Sequence, residues 1–289
     1  EILVSNGAKQ AVYQAVLAVC RPGDEVIIPA PYWPSYPEMV RLAGATPVIV
    51  KTSVDQDYRL TPEDLEAAMS DKTRMLILCN PSNPTGAVLE KHHLLGLAKV
   101  LAGKAPKAFV LADEIYERLV YDDVEHTAFA ALTVEDDDGQ SVAMWPRTLT
   151  VNGFSKAYAM TGYRLGYLAA PRQLVQACST LQSQISSCAS SLAQEAGIAA
   201  LQEVPEDELE GLYAQMREKR DLVLSRLQSI PGVRCPTPTG AFYVLPDVSS
   251  YFGRTSPGGA ILSDSTALCV ALLQETAVAL VTGDAFGAP

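Results

Sequence analysis

The sequence predicts an α/β fold: a mostly parallel sheet sandwiched by helices, followed by a smaller α+β domain. Three observations predict it. Short apolar runs at 25–29, 47–50, 74–79, 107–111 and 148–151 have the continuous hydrophobic character of strands buried on both faces, and helical patterns separate them through Arg172. Several of these runs end in Pro, Asn, Gly or an acid, residues that stop a strand and open a loop where parallel sheets bind ligands. The 289 residues, 48% hydrophobic, suffice for one large core and a second smaller one.

The net charge of −11 argues against nucleic-acid binding, which needs a basic face. No apolar run approaches the roughly 18–20 residues of a membrane span. The six cysteines, Cys20, Cys79, Cys178, Cys188, Cys235 and Cys269, form no CxxC pair, and the three histidines add no metal spacing. Reduced, buried thiols in an intracellular compartment are expected.

In chain order, 2–4 is an apolar entry closed by Ser5, Asn6 and Gly7. A helix follows whose buried face is Ala8, Ala11, Val12, Ala15, Val16 and Val19, and its amino end is suited to an anion. After the strand at 25–29, prolines fix the aromatic cluster Tyr32, Trp33 and Tyr36. Thr61-Pro62-Glu63-Asp64 reads as a capped helix start. The strand at 74–79 leads into Asn80-Pro81-Ser82-Asn83-Pro84-Thr85-Gly86, a rigid turn able to present the Asn83 amide. A helix at 90–101 precedes the strand at 107–111, which runs into Asp113. A carboxylate closing a buried apolar strand requires a cationic partner, and Tyr116, one helical turn on, reaches the same place. Residues 134–140 read as an acidic surface loop. Residues 173–201 are largely helical, and the polar stretch 203–210 marks the division between a large domain, 1–205, and a smaller one, 206–289. Within the latter, a helix at 209–227 and strands at 235–248 and 278–281 are expected.

The segment 151–167, VNGFSKAYAMTGYRLGY, organises the rest. Lys156 leaves a strand among Phe154, Tyr158, Met160 and Tyr163, where desolvation favours the reactive free amine. Arg164, eight residues later, adds a fixed cation suited to a phosphate. This stretch resembles the lysine segment of the class I aminotransferases of pyridoxal-phosphate fold type I. The runs NGAKQA, PAPYWPSYPEMV, NPSNPTGAV, ADEIYE and PTGAFY carry the resemblance across almost the whole chain, in family order. Their wording is most similar to the bacterial and plastid aspartate aminotransferase subgroup, including plant and algal enzymes that also act on prephenate.

The resemblance implies a seven-stranded sheet, pyridoxal 5'-phosphate as cofactor, and ping-pong amino transfer between aspartate or glutamate and a 2-oxo acid. Lys156 would hold the cofactor as a Schiff base and shuttle protons. Asp113 would pair with the ring nitrogen, and Tyr116 and Asn83 would contact the ring oxygen. Trp33 would stack on the ring, and Gly7, Ala8 and Arg164 would bind the phosphate. Asn83, Trp33 and Lys9 would meet substrate, Lys9 through its distal carboxylate. At position 153 some relatives carry a phosphate-binding Ser; this chain has Gly, with Ser155 as substitute donor. The resemblance also implies a homodimer located in bacterial cytoplasm or plastid stroma. It places a substrate arginine after Pro289 and a gating arm before Glu1, so both ends read as cut and the segment alone is expected to be poorly active. The rival readings are another enzyme of the same cofactor fold, such as an aminocyclopropane-carboxylate synthase-like lyase, and a non-catalytic regulator.

Overall fold

The computed structural model describes residues 1–136 and 138–288. The elements follow one another as β1 (Ile2–Ser5), α1 (Ala8–Val19), β2 (Glu25–Ala30), α2 (Ser35–Leu42), β3 (Thr46–Lys51), α3 (Pro62–Ala68), β4 (Thr73–Cys79) and α4 (Lys91–Lys104). Then come β5 (Phe109–Asp113), β6 (Thr133–Glu135), β7 (Ser141–Ala143), β8 (Thr148–Gly153), α5 (Phe154–Ala157) and β9 (Gly166–Ala169). Four further helices are α6 (Arg172–Ile185), α7 (Ser191–Glu203), α8 (Glu206–Gln228) and α9 (Ser265–Thr276).

The main sheet has seven strands in the order β1-β9-β8-β5-β4-β2-β3. The neighbours from β8 through β3 pair in parallel, whereas β9 is antiparallel to both β8 and β1. Six strands therefore point one way and β9 alone the other. This brings the carboxyl ends of β1, β2, β4, β5 and β8 to one edge, and the amino end of β9 to that same edge.

Side chains alternate across a pleated strand, and here the alternation feeds two cores. Val26, Ile28, Met75, Ile77 and Leu111 pack with the apolar faces of α1, α2 and α6. Their immediate neighbours Ile27, Leu76, Leu78, Val110 and Ala112 pack with α3, α4 and the segment around Phe129. Burial on both faces is why these strands read as unbroken apolar runs. Helix α3 starts as its sequence requires: the Thr61 hydroxyl accepts the Asp64 N–H at 3.1 Å, with proline in the first turn.

The structure corrects four sequence-based expectations. The acidic run at 134–140 is not a plain loop; β6 and β7 pair antiparallel around it, with Val134 buried against the second core, while Asp137 lies outside the described residues. The segment around Pro238–Tyr243 is not a regular strand but an irregular chain with an isolated bridge from Gly240 to Val120 and Ala241 at φ 55°. Residues 278–281 pair with no strand among the described residues, and Val278, Leu280 and Val281 are exposed. Finally, all six cysteines are free, but only Cys20 and Cys178 are buried; Cys79, Cys235 and Cys269 are partly exposed and Cys188 is exposed.

Leu111 is fully buried at the sheet centre. Replacing it by alanine is expected to cost about 2–5 kcal/mol, the transfer free energy of the lost atoms plus that of the cavity left behind. A urea unfolding midpoint, measured on both chains, checks this.

Candidate active site

At the shared sheet edge lies a cavity of about 220 Å³. Ala8, Lys9, Trp33, Asn83, Asp113, Tyr116, Ser155, Lys156 and Arg164 line it, so residues spread over 150 positions converge there. Topology explains the convergence: Ala8 follows β1, Trp33 follows β2, Asn83 follows β4, and Asp113 ends β5. Lys156 stands in the single turn α5 directly after β8, and Arg164 reaches the edge because β9 runs backwards. Gly7 does not line the cavity but packs against the Arg164 side chain, which does. Its φ of 83° suits glycine, and a Cβ there would collide with the Arg164 guanidinium.

Asp113 is 4% exposed and forms no ion pair among the described residues. Tyr36 donates its hydroxyl to Oδ2 at 2.6 Å, and the Ile115 N–H reaches Oδ1 at 3.3 Å. Burial pushes the carboxyl up to about 6, against the opposing pull of Tyr36, Ile115 and the Lys156 charge. Tyr36 itself is held protonated, its phenol raised by burial and by the adjoining carboxylate.

Lys156 is half-buried. Burial lowers its ammonium pKa, the Arg164 charge adds to the shift, and Asp113 opposes it. The rings near its Nζ are Phe242, at 5.1 Å, and Tyr116, at 5.8 Å. The residues adjacent in sequence do something else. Phe154, Tyr158 and Met160 pack with Leu165, Ala189 and Ala193 in a satellite core, and Tyr163 is 55% exposed. The desolvation expected from the local sequence is therefore present, but distant segments contribute these rings.

Arg164 holds a left-handed conformation, φ 55°. Its Nη1 donates to the Thr161 carbonyl at 2.8 Å and lies 3.5 Å from the Ser155 hydroxyl, and among the described residues it has no acidic partner. Lys9 Nζ sits 4.8 Å from the Trp33 ring centre, a cation–π distance. Trp33 meets Tyr36 edge-on at 5.2 Å. The Asn80 side chain fixes the Asn83 loop by accepting the Leu89 N–H at 2.8 Å and donating to the Leu89 carbonyl at 3.1 Å. Gly153 settles one departure noted in the sequence. A Cβ there would fall 2.8 Å from the Leu165 carbonyl and 2.9 Å from the Gly166 Cα, so this backbone does not admit a serine.

The sequence reading did not assign Tyr36, Cys79, Thr161 or Tyr243, all of which line the cavity. A signal existed for Tyr36, which stands three positions after Trp33 in a proline-fixed helix start. A second group was also missed: oxygens or nitrogens of Glu114, Glu117 and His126, none of which lines the cavity, lie within 4.8 Å of one another. Glu114 there accepts the Phe129 N–H at 3.0 Å and so anchors the start of the 129–131 turn.

A lysine with a weakened hold on its proton, a buried carboxylate without an ion-pair partner among the described residues and a guanidinium without an acidic one stand around one cavity. The family model described as aminotransferase class I and II matches residues 1–289, and the chain belongs to that family. It is 52% identical over 290 residues to an aspartate aminotransferase of Pinus pinaster, covering 99% of this chain and 57% of that protein. It is 50% identical to a bifunctional aspartate aminotransferase and glutamate/aspartate-prephenate aminotransferase of Petunia hybrida, covering 99% and 58%. The chain thus spans under three fifths of these plant relatives. The crystal structure of the aspartate aminotransferase from Rhizobium meliloti superposes with a TM-score of 0.92 at 41% identity, covering 99% of this chain and 69% of that one. Among the described residues, no helix is long and apolar enough to cross a membrane.

Burial pushes the Glu114 carboxyl up to about 8. An acid whose pKa is raised on folding stabilises fully below its unfolded value and loses that contribution as pH rises through the folded one. Between about pH 4.5 and 8 the Glu114→Gln chain, which keeps the acceptor and cannot ionise, is expected to gain stability relative to the unmodified chain. Thermal melting of both at pH 5 and pH 8 checks the sign.

Proposed function

We propose that this chain carries the centre of a pyridoxal 5'-phosphate-dependent aminotransferase that exchanges amino groups between aspartate or glutamate and a 2-oxo acid: oxaloacetate, 2-oxoglutarate or prephenate. The observation that carries this reading is the buried Asp113 carboxylate, facing the cavity without a cation. A protonated pyridine nitrogen answers it. Arg164 and the amino end of α1 at Gly7 and Ala8, with Ser155 alongside, would hold the cofactor's phosphate, and the Lys156 amine would meet its aldehyde. The residues present fit the cofactor at each of its three chemically distinct ends.

When bound, pyridoxal phosphate supplies an electron sink that makes the substrate α-carbon acidic. The chain's own residues do the rest. Asp113, kept ionised by the hydrogen bond from Tyr36, holds the ring nitrogen protonated. Trp33 would fix the ring plane, while Tyr116 and Asn83 would donate hydrogen bonds to its oxygen. Asn83 also orients the substrate carboxylate, and Lys9 takes the distal carboxylate of a dicarboxylic substrate. The Lys156 amine, disposed toward its neutral form by burial and by Arg164, would accept the proton from the substrate α-carbon and deliver it to the cofactor's C4′ carbon on the far side of the nitrogen. Two such halves in succession give ping-pong transfer. Residues 1–205 form the cofactor-binding domain in this reading, and 206–289 begin the smaller one. A homodimer accords with the exposed apolar side chains of Leu192, Leu201 and Val204.

The test is a half-reaction. Chain loaded with pyridoxal phosphate is mixed with aspartate, glutamate or alanine while the absorbance of the bound cofactor is followed. The two dicarboxylic amino acids are expected to convert it, and Lys156→Ala to slow the conversion by about 10²–10⁴-fold, the contribution of a general acid–base group. Conversion by alanine alone, or an unslowed Lys156→Ala chain, would overturn the reading.

A further inference from the structure

Although irregular, the segment Pro238–Tyr243 is tied down along its length. The N–H groups of Thr239 and Gly240 donate to the Gly86 carbonyl, at 3.0 and 2.9 Å, and so clasp the loop that presents Asn83. Tyr121 N–H donates to the Thr239 carbonyl and Ala241 N–H to the Leu119 carbonyl, each at 2.8 Å. The Tyr121 hydroxyl donates to the Ala241 carbonyl, and buried Arg220 donates to the Pro238 carbonyl at 2.8 Å. Gly86 has φ 68°, and a Cβ there would strike Pro238 and the Tyr243 carbonyl, so the two loops touch backbone to backbone. This clasp ends in a side-chain contact. The Tyr243 hydroxyl lies 2.6 Å from the Tyr116 hydroxyl, and either can be the donor. Tyr116 is 3% exposed, and its ring meets those of Phe242 and Tyr243 edge-on.

A phenol has one proton. If Tyr116 gives its proton to Tyr243, none remains for a ligand in the cavity; if Tyr243 is the donor, the Tyr116 proton is free to point inward. A hydroxyl that accepts one hydrogen bond also becomes a better donor of the next. We infer that Tyr243 is a positioning residue: clasped to the Asn83 loop, it donates to Tyr116 and so directs the Tyr116 proton at the cofactor's ring oxygen. The inference rests on the cofactor reading given above and adds to it a residue that acts only through Tyr116.

Tyr243→Phe removes the one oxygen and keeps the ring. With the Tyr116 hydrogen bond weakened, the ring oxygen is more basic and holds the proton it shares with the Lys156 nitrogen to higher pH. A hydrogen bond is worth about 0.5–1.5 kcal/mol and one pH unit about 1.36 kcal/mol. The pH midpoint of the bound cofactor's absorbance change is therefore expected to rise by about half a unit to one unit in Tyr243→Phe. Tyr116→Phe should raise it further, and the double variant should match Tyr116→Phe, because a residue acting through another adds nothing once that other is gone. Tyr121→Phe loosens the same clasp without touching the hydroxyl pair, and should lower the melting temperature while leaving the midpoint in place. A midpoint unmoved in Tyr243→Phe while Tyr116→Phe shifts it overturns the inference and leaves the cofactor reading standing. So does an additive double variant, or an equal shift in Tyr121→Phe. Failure of the unmodified chain to take up pyridoxal phosphate overturns both.

Discussion

The hydrogen bond from Tyr36 to Asp113 closes a buried strand with a charge that the protein alone leaves without a counterion. A carboxylate 4% exposed at the end of an apolar strand is costly, and no cation is paired with it among the described residues. Desolvation drives its pKa up, and Tyr36 pulls it back. Without that bond the acid would remain protonated further into the neutral range and could offer a cationic ligand much less. The two aromatic residues around the start of α2 thus divide the work: both line the cavity, Trp33 beside Lys9 and Tyr36 bonded to Asp113.

The surrounding fold makes this arrangement rigid. Parallel strands bring their carboxyl ends to one edge, and a single reversed strand carries a guanidinium back to that edge. The two cores on either side of the sheet fix the strand ends. Glycine is used where backbone meets backbone: Gly153 lies against Leu165 and Gly166, and Gly86 against the 238–243 segment.

Much of this was legible in the residue order, for a physical reason. Strands buried on both faces are continuous apolar runs, so the positions immediately after them, Asn83, Asp113 and Lys156, could be read as a common ligand edge. Contacts between elements far apart in sequence could not be read. Tyr36 meets Asp113 across 77 residues and Tyr243 meets Tyr116 across 127, and neither pairing leaves a periodic trace. The rings near Lys156 were misassigned to its sequence neighbours because α5 is only one turn long and sends Phe154 into the satellite core. The 238–243 segment reads as a strand from its apolar content, but its Thr239 carbonyl and Ala241 N–H bond Tyr121 and Leu119 one by one, with Ala241 in a left-handed conformation, and no ladder forms.

The most direct measurement of the central claim is reductive trapping. The chain is incubated with pyridoxal phosphate, reduced with borohydride, digested and mapped by mass spectrometry. A single pyridoxyl adduct on Lys156, absent from the Lys156→Ala chain and weakened when Asp113 is replaced by asparagine, is the result this account predicts. Labelling scattered over surface lysines, with Lys156 unmodified, would contradict it.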